Sequence, residues 1–484
     1  MKIVFSSNTK IKRICLYFLF SFLFLEFFLS CVSKNNLEQQ MSEAQKYYAE
    51  GEFSKSFEIY KKIADRESKI EAYQMLCHMY GQGLGIEKDP ERAVFYFNKI
   101  KDAAIQNSAE AQHILGIMYE NGDGTEKNIE EALFWHLKAA ESGNAESQSN
   151  IASIYYTGAL GTRNFAEALK WYEEAAKNGD LNSQYMAASI YLDGNSGLQN
   201  YEEAVKWNMQ AADRGYAPAQ YELGRMYFEG EGIERDYKSA FSWYEKAAQQ
   251  DYAAAQNELG IMYLNGTGTE QDYKEALKLF QKSAGVNPRA QNNLGWMYEN
   301  GLGTDKDFKE AEKWYVKAAE AGIAEAQYNL GNLYYFGDGM EKNHKEAFRL
   351  YKMAAQRGNA YAMYRTGAMY ENGEGIMQDY EIAVNFYLDA AENGYAAAQN
   401  KLGDIYLKGE IAPQDYEESF KWFSESAKQG NAAAQNSLGI MYMNGYGTVR
   451  DYQAAEKCFQ EALDNNYSEA RANMELLKRK TGKR

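Results

Sequence analysis

Small and apolar residues in the stretch Ala217–Tyr252 recur every three or four positions, in two short runs separated by a glycine-rich turn. Leu223 and Met226 belong to the first run, and Ala240 belongs to the second. This spacing places the side chains on one face of a helix, so the stretch predicts two helices joined at Gly230–Gly232. Two short helices cannot bury both of their apolar faces alone, so the unit needs neighbouring copies of itself.

The same pattern returns along most of the chain. Copies begin at Ile70, Ala109, Ala145, Leu181, Ala217, Ala253, Pro288, Ala324, Ala360, Ala396 and Ala432. Equivalent positions in nearly all neighbouring copies are 36 residues apart. These 11 copies exceed the about three that a solenoid requires. The composition agrees, because 4 Pro against 40 Gly is typical of helices separated by glycine turns.

Several positions within the copies are restricted, as the copy from Ala217 illustrates. The eighth position is small (Gly224), the eleventh is Tyr (Tyr227) and the fourteenth is Gly (Gly230). The small eighth residue and the Ala at the twenty-fourth position allow the two helices to approach closely. We expect the fourteenth glycine to end the first helix, helix A, in a left-handed conformation. The Tyr that recurs at the fifth position favours a role in the fold; it is found as Tyr185, Tyr221, Tyr328 and Tyr364.

The consensus AxAQxxLGxMYxNGxGTxxDYxEAxxWYxKAAxxG resembles the Sel1-like repeat, a relative of the tetratricopeptide repeat, over residues 70–467. The resemblance implies an all-α fold, an α/α right-handed superhelix or solenoid of helix pairs. It also implies a non-enzymatic adaptor, because members of this family typically assemble membrane-associated complexes. Leu160 and Ser196 replace the second loop glycine in two copies, and Ile411–Pro413 replaces it in a third. We expect those loops to have different shapes.

Different segments flank the repeats. Residues 38–69 look like a tetratricopeptide helix pair and are predicted to cap the array at its N-terminal end. Residues 468–484 are predicted to form a C-terminal capping helix with a basic tail, whose charge suits the end of a helix.

The N-terminus indicates export. A basic start precedes the apolar run Ile14–Leu29, so residues 1–30 are predicted to be a signal peptide, followed by a polar spacer at 31–37. The junction before Cys31 resembles the lipobox of bacterial lipoproteins, which implies acylation of Cys31 and a membrane-anchored protein of the cell envelope, facing the periplasm or the surface. An uncleaved signal anchor and cleavage without acylation are the alternatives.

No catalytic, cofactor or metal site is predicted. The four His residues show no HExxH spacing, and no CxxC occurs. Glycine pairs such as Gly266–Gly268 connect two helices, which favours a structural turn over a phosphate site. Cys77 and Cys458 lie at opposite ends of the array and are predicted to be buried and unpaired. The net charge of −16 argues against a nucleic-acid partner.

The positions that vary between copies are the candidates for recognising a partner. Tetratricopeptide-like superhelices present helix A on their concave face, so variable ninth and twelfth positions are predicted to line a groove. These candidates are Tyr156, Arg225, Phe228, Trp296, Asn332, Tyr335 and Asp404. Aromatic and charged residues on such a surface suit a protein or peptide ligand. Packing between adjacent A helices is the alternative explanation for the set.

Three hypotheses for the function follow. The first is a membrane-tethered, non-enzymatic scaffold that binds proteins or peptides in the groove. The second is an envelope enzyme or a binder of cell-wall fragments of the β-lactam or peptidoglycan type. The disulfide pair of the cysteine-rich relatives linked to β-lactam binding is missing from these repeats. The third is a secreted factor that acts on a host or another cell.

Overall fold

The computed structural model describes residues 36–482, and all regular secondary structure in that range is helical. The predicted signal peptide, Cys31 and the spacer as far as residue 35 lie outside the described residues. None of the described helices has the length and hydrophobicity needed to cross a membrane.

Twenty-five helices follow one another along residues 36–482, joined by short turns. Helix α1 covers residues 36–49. The others are α2 (Phe53–Glu67), α3 (Ile70–Gln82), α4 (Pro90–Ile105), α5 (Ala109–Asn121), α6 (Ile129–Glu141), α7 (Ala145–Thr157), α8 (Phe165–Lys177), α9 (Leu181–Leu192), α10 (Tyr201–Asp213), α11 (Ala217–Glu229), α12 (Tyr237–Gln249), α13 (Ala253–Asn265), α14 (Tyr273–Ser283), α15 (Pro288–Asn300), α16 (Phe308–Glu320), α17 (Ala324–Phe336), α18 (His344–Ala355), α19 (Ala360–Asn372), α20 (Tyr380–Glu392), α21 (Ala396–Lys408), α22 (Tyr416–Lys428), α23 (Ala432–Asn444), α24 (Tyr452–Asp464) and α25 (Ala470–Thr481).

The contacts between residues divide the described chain into two compact units. The first unit extends to Met226 and also includes the loop Gly230–Glu234. The second unit comprises Tyr227–Glu229 and the residues from Arg235 onward. In the first unit, α3 packs on α4, α5 on α6, α7 on α8 and α9 on α10, and α2, α4, α6 and α8 each also pack on the next odd helix. The second unit repeats this order from α12 to α25. Odd helices are the predicted A helices and even helices are their B partners, so the prediction of an α/α solenoid is confirmed.

An Asp or Asn begins the B helix of each copy. In the copy from Ala253, the Asp272 carboxylate accepts hydrogen bonds from the backbone N–H groups of Lys274 and Glu275. The N–H of Asp272 itself donates to the carbonyl of Tyr263 on helix A. These bonds satisfy N–H groups that the first turn of a helix leaves free, and they tie the two helices of the copy together.

The fourteenth glycine ends helix A as predicted in ten copies; Gly301, for example, has φ +67°. The copy from Leu181 differs, because α9 ends at Leu192 and Gly194 does not have a positive φ. There Asp193 accepts a hydrogen bond from the N–H of Asn195 at 2.9 Å, and the Asp193 carbonyl accepts one from the Ser196 hydroxyl at 2.7 Å. Side chains therefore close this turn, and a left-handed glycine is not needed.

The second loop glycine packs on the preceding copy. A Cβ at Gly303 would overlap the carbonyl of Tyr273 at the start of α14, and one at Gly232 would lie 2.6 Å from the carbonyl oxygen of Tyr201. The loops with a displaced glycine differ as expected, since a Cβ at Gly161 would meet nothing within 4 Å. The glycine pairs are therefore structural turns that hold neighbouring copies together.

Cys77 and Cys458 are buried and unpaired, as predicted. Burial raises the pKa of the Cys77 thiol to about 12 and that of the Cys458 thiol to about 11. Both thiols are therefore protonated at neutral pH and act as packing residues.

Candidate functional site

The A helices of neighbouring copies form one continuous surface in the second unit. The sixth position of one copy contacts the fifth or the twelfth position of the copy before it. Asn329 Nδ2 donates to Asn292 Oδ1 at 3.1 Å, and Lys401 Nζ lies 2.8 Å from Glu371 Oε1. We call one surface of the A helices α13, α15, α17, α19 and α21 the A-helix face. It consists of their partly exposed second, fifth, sixth, ninth, twelfth and thirteenth positions.

The predicted site residues in and near α11 and in the copy from Ala145 are engaged in local contacts. The ring of Tyr156 packs edge-on against Phe165, with centroids 5.8 Å apart. The Arg225 guanidinium lies 2.5 Å from Glu222 Oε1 and 2.7 Å from Glu231 Oε2.

Phe228 packs edge-on against Tyr237, with ring centroids 5.1 Å apart. The contacts of Tyr156, Arg225 and Phe228 all lie within their own copies, and none is the packing between adjacent A helices that was the alternative.

The other four predicted site residues lie on the A-helix face. The side chain of Trp296 is 39% exposed. Asn332 and Tyr335 lie on the same helix, α17, where Asn332 Oδ1 accepts a hydrogen bond from Tyr351 at 2.7 Å and the Tyr335 hydroxyl donates to Glu374 Oε2 at 2.6 Å. Asp404, on α21, is half-buried, and burial raises its pKa while Lys408 and Lys401 oppose the rise. The structure therefore places Asn332 and Tyr335 on one helix and leaves the Trp296 side chain exposed to solvent.

A tyrosine at the twenty-eighth position of three successive copies connects the core to this face. Tyr351 is fully buried, and its ring passes beneath Gly331, where a Cβ would lie 2.7 Å from Cε1 of the ring. The hydroxyl emerges beside α17 and donates to Asn332. Equivalent bonds run from Tyr315 to Glu299 at 2.6 Å and from Tyr387 to Glu371 at 2.5 Å.

Burial raises the pKa of these three tyrosines well above the usual value, so they remain neutral hydrogen-bond donors. The sequence contains the signal for this arrangement, because every Gly at the eighth position is accompanied by a ring (Tyr, Phe or His) at the twenty-eighth. The packing role of the eighth-position glycine was predictable from its recurrence, whereas the role of the tyrosine hydroxyl was not.

Tyrosine rings also form a strip across the A helices from α17 to the start of α21. The Tyr361 ring lies 5.9 Å from that of Tyr328 and 4.8 Å from that of Tyr395, which in turn lies 5.4 Å from Tyr364. Tyr361 is 55% exposed. Tyr328 and Tyr364 also contact buried tyrosines, so the fifth-position tyrosines serve the fold and contribute to the surface.

Arg365 lies beside this strip on α19. Its guanidinium is positioned over the rings of Tyr335 and Phe336, at 5.9 and 5.6 Å from their centroids. Burial lowers the pKa of Arg365, a hydrogen bond with Tyr328 raises it, and the net pKa lies above the ordinary value. Arg365 was not among the predicted site residues, because it occupies the sixth position and the predicted groove comprised the ninth and twelfth positions.

Two histidines meet in the first unit. The rings of His113 and His136 lie 5.5 Å apart, and His113 Nδ1 is 2.8 Å from the hydroxyl of Ser147. His113 Nε2 lies 3.1 Å from Glu146, and His136 Nε2 lies 3.3 Å from Glu120. His136 and Ser147 are fully buried, so the cluster is not open to a substrate. Across residues 36–482, no group of three or more His, Cys, Asp or Glu side chains is placed to hold a metal ion.

The Sel1 repeat family model matches eleven stretches of the chain: residues 70–103, 109–144, 145–180, 181–216, 217–252, 253–285, 288–323, 324–359, 360–395, 396–431 and 432–467. The helix pairs, the paired loop glycines and the tyrosine-rich A helices described above belong to these stretches. The chain is a member of the Sel1 repeat family.

Two solved structures are similar over much of the chain. One is c5321, a protective antigen present in uropathogenic Escherichia coli strains displaying an SLR fold, with 33% identity, 88% of this chain and 90% of that chain covered, and a TM-score of 0.67. The other is a Sel1 repeat protein from Oxalobacter formigenes, with 29% identity, 64% and 90% covered, and a TM-score of 0.51. No curated protein matches the chain.

Proposed function

We propose that this Sel1 repeat protein is a non-enzymatic scaffold, exported and tethered to a membrane, that binds a protein or peptide ligand on its A-helix face. The observation that carries the proposal is the aromatic character of that face in the second unit, where Trp296 is 39% and Tyr361 55% exposed. Large aromatic side chains left in solvent beside arginine are typical of protein-binding surfaces.

The tether rests on the sequence before the described residues. The apolar run Ile14–Leu29 and the cysteine that follows it support a signal peptide and acylation of Cys31. The Escherichia coli relative is named as a protective antigen, which agrees with an exported protein. A secreted or surface factor that acts on another cell is the second candidate, and the fate of Cys31 distinguishes the two.

Mass spectrometry of the mature N-terminus tests the tether. We expect the chain to begin at Cys31 with acyl chains attached, and to fractionate with membranes. The Cys31→Ser variant serves as the matched control and should lose both the acyl mass and the membrane association. An intact Met1, or a mature start without acylation, would contradict the lipoprotein proposal.

Site-specific photo-crosslinking in the producing cells tests the surface. A photoreactive amino acid at position 296 should form a discrete crosslink to a protein, whereas the same group at the exposed loop residue Val449 should not. The Tyr335→Ala change, introduced with the probe at 296, should reduce the yield. Equal yields from positions 296 and 449 would show that the A-helix face is not the binding surface.

A further inference from the structure

Arg365 has no ionic partner in the described part of the chain, unlike Arg225 and Lys401, two other half-buried cations on A helices. Arg225 is paired with two glutamates and Lys401 with Glu371. No carboxylate among residues 36–482 lies within 4.0 Å of the Arg365 guanidinium, although the side chain is half-buried and the chain carries a net charge of −16. A partly desolvated cation without a counter-charge is destabilising, and an incoming anion relieves that cost.

The groups around Arg365 are aromatic. The rings of Tyr335 and Phe336 lie against the guanidinium, and Phe336 is 45% exposed. Tyr361 lies one turn earlier on α19, on the same side of the helix, and its ring lies 5.9 Å from that of Tyr328. We call Arg365, Tyr328, Tyr335, Phe336 and Tyr361 the Arg365 site.

We propose that the Arg365 site binds one carboxylate, from the Asp or Glu side chain of an extended protein segment whose neighbouring apolar residues pack on Phe336 and Tyr361. This inference rests on the proposed function, since it specifies the partner that the A-helix face recognises. The planar guanidinium has five N–H donors and can hold a carboxylate through two parallel hydrogen bonds.

The charges nearby favour a carboxylate over a phosphate. Glu374 accepts a hydrogen bond from the hydroxyl of Tyr335, a residue of the site. Glu371, near the end of α19, is paired with Lys401. A single negative charge balances Arg365. A phosphate, with a charge of about −1.5 to −2 at neutral pH, would leave negative charge facing Glu374.

The exposed rings favour a protein segment over a free small acid. Phe336 and Tyr361 are exposed on adjacent A helices, α17 and α19, and present apolar surface that a lone carboxylate would leave in water. Arginine and tyrosine grouped in this way are enriched among the residues that dominate protein-binding energy.

Selection from a display library of random 12-residue peptides tests the proposal, with the full chain purified in detergent as the target. Fluorescence anisotropy then gives the Kd of the strongest peptide. The measurement is repeated with two altered peptides, in which the acidic residue is replaced by its amide or by phosphoserine. It is also repeated with the Arg365→Gln protein. Arg357→Gln removes the same charge at an exposed turn outside the site and is the matched control.

We expect the selected peptides to share an acidic residue next to an apolar one. The amide and Arg365→Gln should each raise Kd by about tenfold or more, the two together by little beyond either alone, and Arg357→Gln should leave Kd unchanged. Circular dichroism checks that Arg365→Gln remains folded.

Tighter binding of the phosphoserine peptide would overturn the choice of a carboxylate. Peptides that bind Arg365→Gln normally but lose affinity for Trp296→Ala would overturn the Arg365 site and leave the proposed function standing. If no peptide is selected and position 296 crosslinks to no protein, both are wrong.

Discussion

The glycine at the eighth position and the ring at the twenty-eighth act together in each copy that has both. The ring of Tyr315 fills the space that a side chain on Gly295 would occupy, since a Cβ there would lie 2.8 Å from the ring. Because the Tyr315 ring passes close to Gly295, its hydroxyl reaches Glu299 on the A-helix face and donates a hydrogen bond to it. One small residue therefore determines both the packing of the pair and the position of a polar group on the surface.

We expect Gly295→Ala to destabilise the protein by about 1–3 kcal/mol, because the added methyl overlaps the fully buried ring of Tyr315. Urea unfolding followed by circular dichroism measures the effect. The control is Gly285→Ala, where a Cβ would meet nothing within 4 Å and the change should stay within about 0.5 kcal/mol. Equal effects of the two substitutions would contradict the packing of Tyr315 beneath Gly295.

We expect the histidine cluster to make the first unit sensitive to pH. Burial lowers the pKa of His113, the adjacent His136 lowers it further, and Glu146 and Glu120 oppose the change. The folded state thus binds fewer protons than the unfolded state, whose histidine pKa is about 6.5. The contribution of His113 to stability is therefore complete above that value and is lost as the pH falls through the lowered pKa.

Hydrogen exchange in α5 and α7, corrected for intrinsic rates, should show weaker protection at acidic pH than at neutral pH, and His113→Gln should reduce this difference. The contribution of His78 to stability has the opposite dependence on pH, because a hydrogen bond with Asp123 raises the pKa of His78. Its contribution is present below a pH of about 6.5 and is lost as the pH rises through the raised pKa. His78→Gln should therefore leave the acid-induced loss intact, and an equal reduction by both variants would refute this explanation.

Helices of neighbouring copies are held together by their loops as well as by their faces. The second loop glycine of one copy lies against the first residue of the B helix before it, as Gly303 does against Tyr273. The glycine has φ +72°, which other residues adopt only at a cost. The loop is thus part of the joint between copies.

Gly303→Ala should weaken this joint by about 1–3 kcal/mol more than Gly161→Ala does. Both glycines have positive φ, but only a Cβ at Gly303 would overlap the preceding helix. We expect the Gly303 variant to lose hydrogen-exchange protection at α14 and α15, where the overlap falls. If both variants lose protection to the same extent in their own copies, backbone strain alone accounts for the loop glycine.

At the scale of the whole molecule, the helix pairs were predictable from the sequence because each copy repeats the same physical constraints: a small eighth residue, a glycine at the end of helix A and a regular apolar spacing. The surface was less predictable. Whether Tyr156 or Trp296 is free depends on partners from other helices, and the sixth-position Arg365 gains its surroundings only when α17 and α19 lie side by side. The contact of His113 and His136 likewise depends on which residue lies beneath the eighth position.

The last helix provides a test of how far stability is transmitted along the array. Helix α25 buries Ala470, Met474 and Leu477 against α24, and Asn473 Nδ2 donates to Asn436 Oδ1 on α23. Deletion of residues 468–484 should expose this apolar surface. In a stack held by contacts between neighbours, the loss of hydrogen-exchange protection should be confined to the last copies and leave α3 to α8 unchanged.

Deletion of residues 479–484 alone retains those buried side chains and should have little effect. Loss of protection throughout the chain would show that the repeats unfold as one cooperative body and are not stabilised copy by copy.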